Sequence, residues 1–178
     1  RVHVWRAALP GSWGFANSPD WVLSGCDDVG TELVHGAAVT SLELVAGGSA
    51  LVSGDLQGAV IFWEPLGAAR LVGAAHRLEL GAAVRALCVD AGHDDDVYAG
   101  LANGLLMRLR ARGGGAAPSE EELLTLECGI SSLAWDACSK ALLLGMDDGR
   151  ILRWRPGSKE EPEEFASFHR GEVSSLAL

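Results

Sequence analysis

Three ten-residue stretches decide the fold of this chain, and they align with one another without gaps. They are GDLQGAVIFW at residues 54–63, GLANGLLMRL at 100–109 and GMDDGRILRW at 145–154. Their first residues, Gly54, Gly100 and Gly145, recur about every 45 residues, a period that indicates a chain of repeated structural units. A second landmark keeps the same period, because an apolar strand-like run opens at each of Val39, Val84, Ile130 and Val173.

Each stretch predicts a hairpin. Gln57, Asn103 and Asp148 each precede a glycine, and Asn-Gly or Asp-Gly pairs adopt the positive φ angles of a tight two-residue turn. Apolar runs on both sides of the turn predict two strands, and the run that opens at the second landmark predicts another. A fourth strand is predicted between units, at residues 122–126 and 164–168. Four short strands per period indicate repeated antiparallel sheets.

A four-stranded unit of about 40–45 residues, repeated along the chain, is typical of a β-propeller. The sequence resembles the WD-repeat propellers over nearly its whole length. That family places a tryptophan six residues after a turn aspartate, and a histidine before the first strand. At the tryptophan and turn positions this chain has Trp63 after Gln57, Leu109 after Asn103 and Trp154 after Asp148. His35 and His169 stand at the histidine position, four residues before Val39 and Val173.

The chain also departs from that family. The dipeptide at the end of each repeat is never Trp-Asp, since Trp63 is followed by Glu64 and Trp154 by Arg155. The resemblance implies a hydrogen-bonded set of His, Ser or Thr, Asp and Trp in each blade. The unit with His35 has Gln57 in its turn, so we expect no unit to hold the complete set. We expect apolar packing to carry most of the stability, and a related propeller family without this set stays an open alternative.

The units predict the organisation of the chain. Residues 1–34 are the end of one blade with an irregular segment, which is an inserted loop or a shortened repeat. Three blades are expected to follow at 35–79, 80–125 and 126–168. Residues 169–178 are expected to begin another blade, with the sequence stopping inside the first strand of that blade. Propellers close with about 4–8 blades, so the remaining blades are expected from the same or another chain. A self-closed four-bladed ring is the alternative.

Composition excludes several functions. The 178 residues carry a net charge of −10, which disfavours binding to nucleic acid and to anionic membranes. No apolar run approaches the roughly 20 residues of a membrane span, so no membrane insertion is expected. The four cysteines form no Cys-x-x-Cys pair, which favours a reduced, cytoplasmic chain.

Two groups of residues are candidates for binding a partner protein. Trp13, Phe15 and Trp21 are aromatic residues in the irregular segment, and aromatic side chains on a loop are good anchors. The arginines form two pairs at a spacing of two residues, which places each pair on one face of a strand. Those pairs predict a basic strip or, as the favoured alternative, salt bridges with nearby glutamates; they are Arg108 with Arg110 and Arg153 with Arg155.

Other constellations have structural explanations. Residues 93–96, His-Asp-Asp-Asp, are interpreted as a solvated turn, because they lack the pattern of a calcium loop. Asp148, beside Asp147, is interpreted as a turn residue that binds backbone amides. His35, His169, Ser53 and Asp148 resemble the parts of a hydrolase triad, but the repeat alignment assigns them to different blades. We therefore expect no catalytic residue, metal ligand or cofactor.

The expected function follows from the family resemblance. WD-repeat propellers mostly act as rigid, non-catalytic platforms that bind proteins or peptides, so the chain is expected to be an interaction scaffold within a larger intracellular protein. Two alternatives stay open. One is a propeller enzyme with a site at the channel mouth, and the other is a purely structural set of blades in a large assembly.

Overall fold

The computed structural model describes residues 35–45, 50–63, 74–90, 96–110, 117–167 and 169–177. These residues form twelve β-strands and no helix. The strands are β1 (Val39–Val45), β2 (Ala50–Asp55), β3 (Ala59–Trp63), β4 (Ala74–Glu79), β5 (Val84–Val89), β6 (Asp96–Leu101), β7 (Leu105–Arg110), β8 (Ser119–Thr125), β9 (Ile130–Asp136), β10 (Ala141–Met146), β11 (Ile151–Trp154) and β12 (Glu163–Ala166).

The strands form three antiparallel sheets of four strands each. Their orders are β1-β2-β3-β4, β5-β6-β7-β8 and β9-β10-β11-β12, so each sheet is a meander of consecutive strands. The sheets lie within 35–79, 80–125 and 126–168. The prediction of an all-β fold built from repeated four-stranded blades is confirmed.

The turn between the second and third strand of each blade differs from the prediction. β2 ends at Asp55 and β3 begins at Ala59, so three residues connect them, and the amide of Gly58 donates to the carbonyl of Asp55 at 3.2 Å. Gly58, Gly104 and Gly149 have φ angles of 95°, 86° and 92°, whereas Asn103 and Asp148 do not have positive φ. The predicted two-residue turn is therefore wrong. The chain uses a three-residue turn in which glycine alone supplies the left-handed conformation.

The two repeating landmarks share one period because they touch. A Cβ atom built on Gly54 would lie 2.5 Å from Val84 Cγ1, and one on Gly100 would lie 2.6 Å from Ile130 Cγ2. The same contact joins Gly145 to Val173, at 2.8 Å. Each glycine makes room for the apolar side chain that opens the next blade, so both positions are fixed by one inter-blade contact.

The hydrophobic core lies between adjacent blades. The first strands of the blades, β1, β5 and β9, are neighbours around the common axis. One cluster joins the first two blades through Val52, Phe62 and Leu87, and a second joins the second and third blades through Tyr98, Ile130 and Leu133. The blades are therefore held together by apolar packing of sheet on sheet.

The last described segment corrects a prediction. Residues 169–177 form no strand, although a first strand was expected there. Val173 is nevertheless buried, and its amide donates to the carbonyl of Met146 at 3.1 Å. No described strand lies beside this segment to complete a hydrogen-bond ladder, and a strand needs such a partner. The fourth strands also begin earlier than predicted, at Ser119 and Glu163.

Candidate interaction face

One end of the blades carries a continuous surface of turns and loops, which we call the turn face. It comprises the turns at 56–58, 102–104 and 147–149 and the loops at 36–38, 80–83, 126–129 and 169–172, which precede each first strand or its equivalent. The amide of Leu80 donates to the carbonyl of Gly58, and that of Leu126 to Gly104, both at 2.9 Å. The first two turns are thereby locked onto the loops that lead into the next blades.

Beneath the first turn lies a buried hydrogen-bonded set of four side chains. His35 Nδ1 lies 2.8 Å from Asp55 Oδ2, and His35 Nε2 lies 2.5 Å from Ser53 Oγ. Trp63 Nε1 donates to Ser53 Oγ at 2.8 Å. Because the carboxylate of Asp55 can only accept, His35 carries a proton on Nδ1, and in that tautomer Nε2 accepts from the hydroxyl of Ser53. The expectation that no blade holds the complete set is wrong.

The carboxylate of this set does not lie at the position where the family pattern predicts it. The turn position six residues before Trp63 is Gln57, but the carboxylate comes from Asp55, at the end of β2. Asp55 Oδ1 also accepts the amides of Gln57 at 2.9 Å and Ala59 at 3.0 Å. Burial alone would raise the pKa of Asp55, but the hydrogen bonds from His35 and these amides outweigh it and lower the pKa.

The same set excludes a hydrolase site in this blade. His35 and Ser53 belong to one blade, which corrects the sequence assignment to different blades, and with Asp55 they have the connectivity of a Ser-His-Asp triad. Ser53 is fully buried, and its oxygen is occupied by Trp63. A nucleophile needs a free path to its substrate, so this triad is a structural network.

The other two blades replace the set with apolar residues. At the positions of His35, Ser53, Asp55 and Trp63 the second blade has Leu80, Ala99, Leu101 and Leu109, and the third has Leu126, Leu144, Met146 and Trp154. These eight side chains pack in or against the two inter-blade clusters. The one retained polar member, Trp154, has a buried Nε1 without a hydrogen-bond partner. A polar network is stable when complete, and an apolar set is the other stable solution.

A group of charges lies on the turn face beside the third blade. Arg85, at the start of β5, forms an ion pair with Glu172 and lies 3.7 Å from Asp147 Oδ1. Asp147 Oδ1 is buried and has no hydrogen-bond partner, although 37% of the side chain is exposed. Asp148 accepts the amide of Arg150 at 3.0 Å, which confirms its predicted role in the turn. We call Arg85, Asp147 and Glu172 the charge cluster.

The first blade presents an apolar residue on the same face. Leu56, in the first turn, is 51% exposed. Its counterparts in the next two turns are Ala102 and Asp147. Sequence reasoning passed over Leu56 and Arg85, because neither belongs to a motif. A signal existed in the mismatch of residue types, since the positions that match Arg85 are Thr40 and Ser131.

The predicted arginine pairs lie on the outer part of the blades. Arg108 forms an ion pair with Glu121, and Arg153 with Glu163, which are the salt bridges expected as the alternative to a basic strip. Arg110 Nε lies 2.6 Å from Asp96 Oδ1, and Arg108 also approaches Asp96, so this pair shares one face. Arg153 additionally lies 5.6 Å from the ring centre of Phe165, and Arg155 is exposed.

Several candidate residues have a plain placement. Trp13, Phe15 and Trp21 lie outside the described residues, as do His93, Asp94 and Asp95. Asp96 is buried at the start of β6, so the interpretation of 93–96 as a solvated turn is wrong for this residue. His169 is exposed, unlike the buried ring of His35.

The described part of the chain offers no metal centre, because nowhere in it do three His, Cys, Asp or Glu side chains gather. It also contains no helix long and apolar enough to cross a membrane. The thiol of Cys88 is buried, and burial raises its pKa to about 12, which keeps it protonated and unreactive at neutral pH.

Comparison with solved structures identifies the fold. U3-55K is similar with a TM-score of 0.63 and 16% identity, over 80% of this chain and 43% of that chain. A chain of the mitotic checkpoint complex is similar with a TM-score of 0.64 and 19% identity, over 79% and 41%. The RRP9 WD40 repeats are similar with a TM-score of 0.64 and 17% identity, over 80% of this chain and 42% of that chain.

These matches establish the fold as that of the WD-repeat β-propellers. The chain spans about two-fifths of the length of the three solved chains. No family model matches the sequence, and no curated protein sequence is significantly similar to it.

Proposed function

We propose that this chain is the propeller segment of a larger intracellular protein and acts as a non-catalytic scaffold for protein interactions. The observation that carries the proposal is the turn face. Its first two turns are locked onto the following loops by backbone hydrogen bonds, so this surface needs little ordering when a partner binds. Leu56, exposed on this surface, supplies an apolar contact.

The described nucleophiles support a non-catalytic role. Ser53 is sealed beneath the first turn, and its oxygen is engaged by Trp63. Burial raises the pKa of Cys88 and of Cys128, so neither thiol is activated. Cys88, Cys128 and Cys138 are all free, which supports a reduced compartment for the described part of the chain.

Exposed apolar residues at the two ends of the arc support further blades as partners. Leu42 and Leu44 in β1 are half exposed, whereas their counterparts in β5, Leu87 and Val89, pack against the preceding blade. At the other end, Phe165 is 57% exposed. Their exposure supports the proposal that neighbouring blades of the same or another chain cover them.

The register of the outer strands also supports a further blade packing against Phe165. β12 pairs with β11 with a register shift that skips Phe165, and β8 pairs with β7 with a shift that skips Leu123. Leu123 therefore occupies the matching position one blade earlier, where it packs against the cluster shared with the third blade. Phe165 would pack against a fourth blade in the same way.

Site-specific cross-linking tests the scaffold proposal. A photoreactive amino acid replaces Gln57 on the turn face of the full-length protein, and a matched variant carries it at Glu120 on the outer strand β8. We expect partner proteins to cross-link at position 57 and not at 120. Excess wild-type protein should compete, whereas Leu56→Asp protein should not.

Cross-links confined to position 120, or none at either position, would contradict this proposal. They would favour the outer strands as the contact surface or a purely structural set of blades. The unfolding midpoint of each variant is measured first, to establish that the blades are intact.

A further inference from the structure

We infer that the turn face binds a protein segment that offers a lysine or arginine to the charge cluster and an apolar side chain to Leu56. This inference rests on the proposed scaffold function and names the chemistry of its partner. It is carried by an excess of carboxylate around Arg85 and by the row of small residues that leads from this cluster to Leu56.

The charge cluster is short of positive charge. One guanidinium group, from Arg85, faces two carboxylates, because it pairs with Glu172 and lies 3.7 Å from Asp147. Asp147 Oδ1 accepts no hydrogen bond from the described residues, although it is buried. A carboxylate with one oxygen buried and without a donor gains from an additional cation at its exposed side.

The neighbouring charges do not fill this deficit. Arg150 is engaged by Asp148, with Nε 2.7 Å from Oδ2, and Glu127 is exposed on the loop before β9. The charged residues of this part of the turn face are four carboxylates and three guanidinium groups, namely Glu127, Asp147, Asp148 and Glu172 with Arg85, Arg150 and Arg170. A cationic segment is therefore attracted, and an acidic one is repelled.

Small residues connect the cluster to Leu56. The first turn contacts the next loop where Gly58 faces the carbonyl of Ala82, and the amide of Ala102 donates to the carbonyl of Ala83 at 2.9 Å. Gly129 then lies between Ala102 and Asp147. This row has little side-chain bulk, so an extended segment can cross the second turn and reach both ends.

Repeat symmetry indicates that these residues are not needed by the fold. The positions that match Arg85 hold Thr40 and Ser131, and those that match Leu56 hold Ala102 and Asp147. The blades therefore form equally well with other residue types there. Leu56 is also the one exposed large apolar residue of the described chain that no adjacent blade would cover.

A random twelve-residue peptide library displayed on phage tests the inference. The immobilised full-length protein is the target, and the enriched peptides are synthesised and their Kd measured at low and physiological salt. We expect enrichment of peptides that combine a lysine or arginine with a nearby apolar residue. Their affinity should fall as salt rises, since the contact is an exposed charge pair.

Matched variants locate the binding site. Leu56→Ser, and Asp147→Asn combined with Glu172→Gln, should each weaken the selected peptides at least about tenfold, which corresponds to about 1.4 kcal/mol. The control Phe165→Ser, on the outer strand, should leave their affinity unchanged. Unfolding midpoints of all variants show whether the blades remain intact.

Other results would overturn the inference. Enrichment of acidic peptides would indicate recognition by Arg85 instead, and peptides unaffected by both turn-face variants would bind elsewhere. In either case cross-linking at position 57 would still support the scaffold. The absence of any selected peptide, together with no cross-linked protein at position 57, would contradict both proposals.

Discussion

In each blade the amide of the residue after the turn glycine donates to a side-chain oxygen, but this oxygen does not come from the same sequence position. In the second and third blades the accepting oxygen belongs to the residue just before the turn glycine, whereas in the first blade it belongs to the residue at the end of the second strand. The bonds are Ala59 to Asp55 at 3.0 Å, Leu105 to Asn103 at 3.2 Å and Arg150 to Asp148 at 3.0 Å.

This difference in position explains why the fold could be predicted from the sequence but the hydrogen-bonded set of the first blade could not. The family pattern predicts an acid at the position of Gln57, and by that pattern the first blade is incomplete. A side chain two residues earlier reaches the same amide because the turn is tight. The clue in the sequence was Asp55 itself, close to Ser53 and His35 in one repeat. Only the folded backbone shows that it replaces Gln57.

The network of the first blade should respond to mutation as a unit. Ser53→Ala removes the acceptor of Trp63 and the partner of His35, so we expect a loss of about 2–4 kcal/mol in the free energy of unfolding. A second variant installs the residues of the second blade together: H35L, S53A, D55L and W63L with Q57N to cap the turn. The loss of unfolding free energy in this combined variant should be far smaller than the sum of the losses caused by the single substitutions.

Urea unfolding of the singles and of the combined variant measures this coupling. Additive losses would show that the four side chains act independently, against the network interpretation. Ser139→Ala serves as the control, because its hydroxyl bonds only to the local turn residue Asp136.

The same network predicts that the folding stability depends on pH in the acidic range. The pKa of Asp55 is lower in the folded chain than its ordinary value, despite burial, because of the hydrogen bonds from His35 and two amides. The resulting stabilisation is fully present above the unfolded pKa of about 3.9 and is lost as pH falls through the folded pKa. The stability difference between wild type and Asp55→Asn should therefore shrink below about pH 4.

Unfolding midpoints from pH 7 to pH 2.5 test this expectation. Asp148→Asn is the matched control: the pKa of Asp148 is also lowered, but the residue is exposed, so its effect should be small at every pH. A difference for Asp55→Asn that stays constant through this range would contradict the assignment.

At the scale of elements, the positions of the turns and of the twelve strands were predictable because they depend on local spacing, although the type of turn was not. The alternation of apolar runs and turn glycines predicted three blades in order. The contacts between a turn and the following loop were not predictable, since they join residues far apart in the chain. Gly104, for example, approaches the carbonyls of Leu126 and Cys128 in the loop that leads to the third blade.

These contacts predict that replacing two glycines of similar conformation by alanine lowers the free energy of unfolding by different amounts. Gly104 and Gly157 both have positive φ, at 86° and 81°, but a Cβ on Gly104 would collide with the backbone of the next loop, whereas one on Gly157 meets nothing within 4 Å. Gly157→Ala should cost about 1–2 kcal/mol, from backbone strain alone. Gly104→Ala should cost clearly more, because the interlock must open.

Thermal unfolding of the two variants gives the comparison directly. Equal losses would mean that the turn and loop are not rigidly joined, and would weaken the case for a preorganised turn face. The amide of Leu126, bonded to the carbonyl of Gly104, offers a local check, since its hydrogen exchange should accelerate in Gly104→Ala alone.

At the scale of the whole molecule, three of the four large exposed apolar residues among the described ones lie at the ends of the arc. Leu42 and Leu44 are at one end and Phe165 is at the other, and each has a counterpart that is packed between blades. Such residues drive association when they are left uncovered. The fourth, Leu56, lies on the turn face and has a different explanation.

A fragment of residues 35–178 should therefore self-associate through the ends of this arc, and this is measurable by sedimentation velocity. The variant L42S/L44S/F165S should shift the chain toward monomer, whereas Leu56→Ser should not. Because these side chains are already half exposed, the unfolding midpoint should change little, as for ordinary surface substitutions. If Leu56→Ser alone abolished association, the turn face would be the contact between copies. The apolar ends would then be stable without a neighbouring blade.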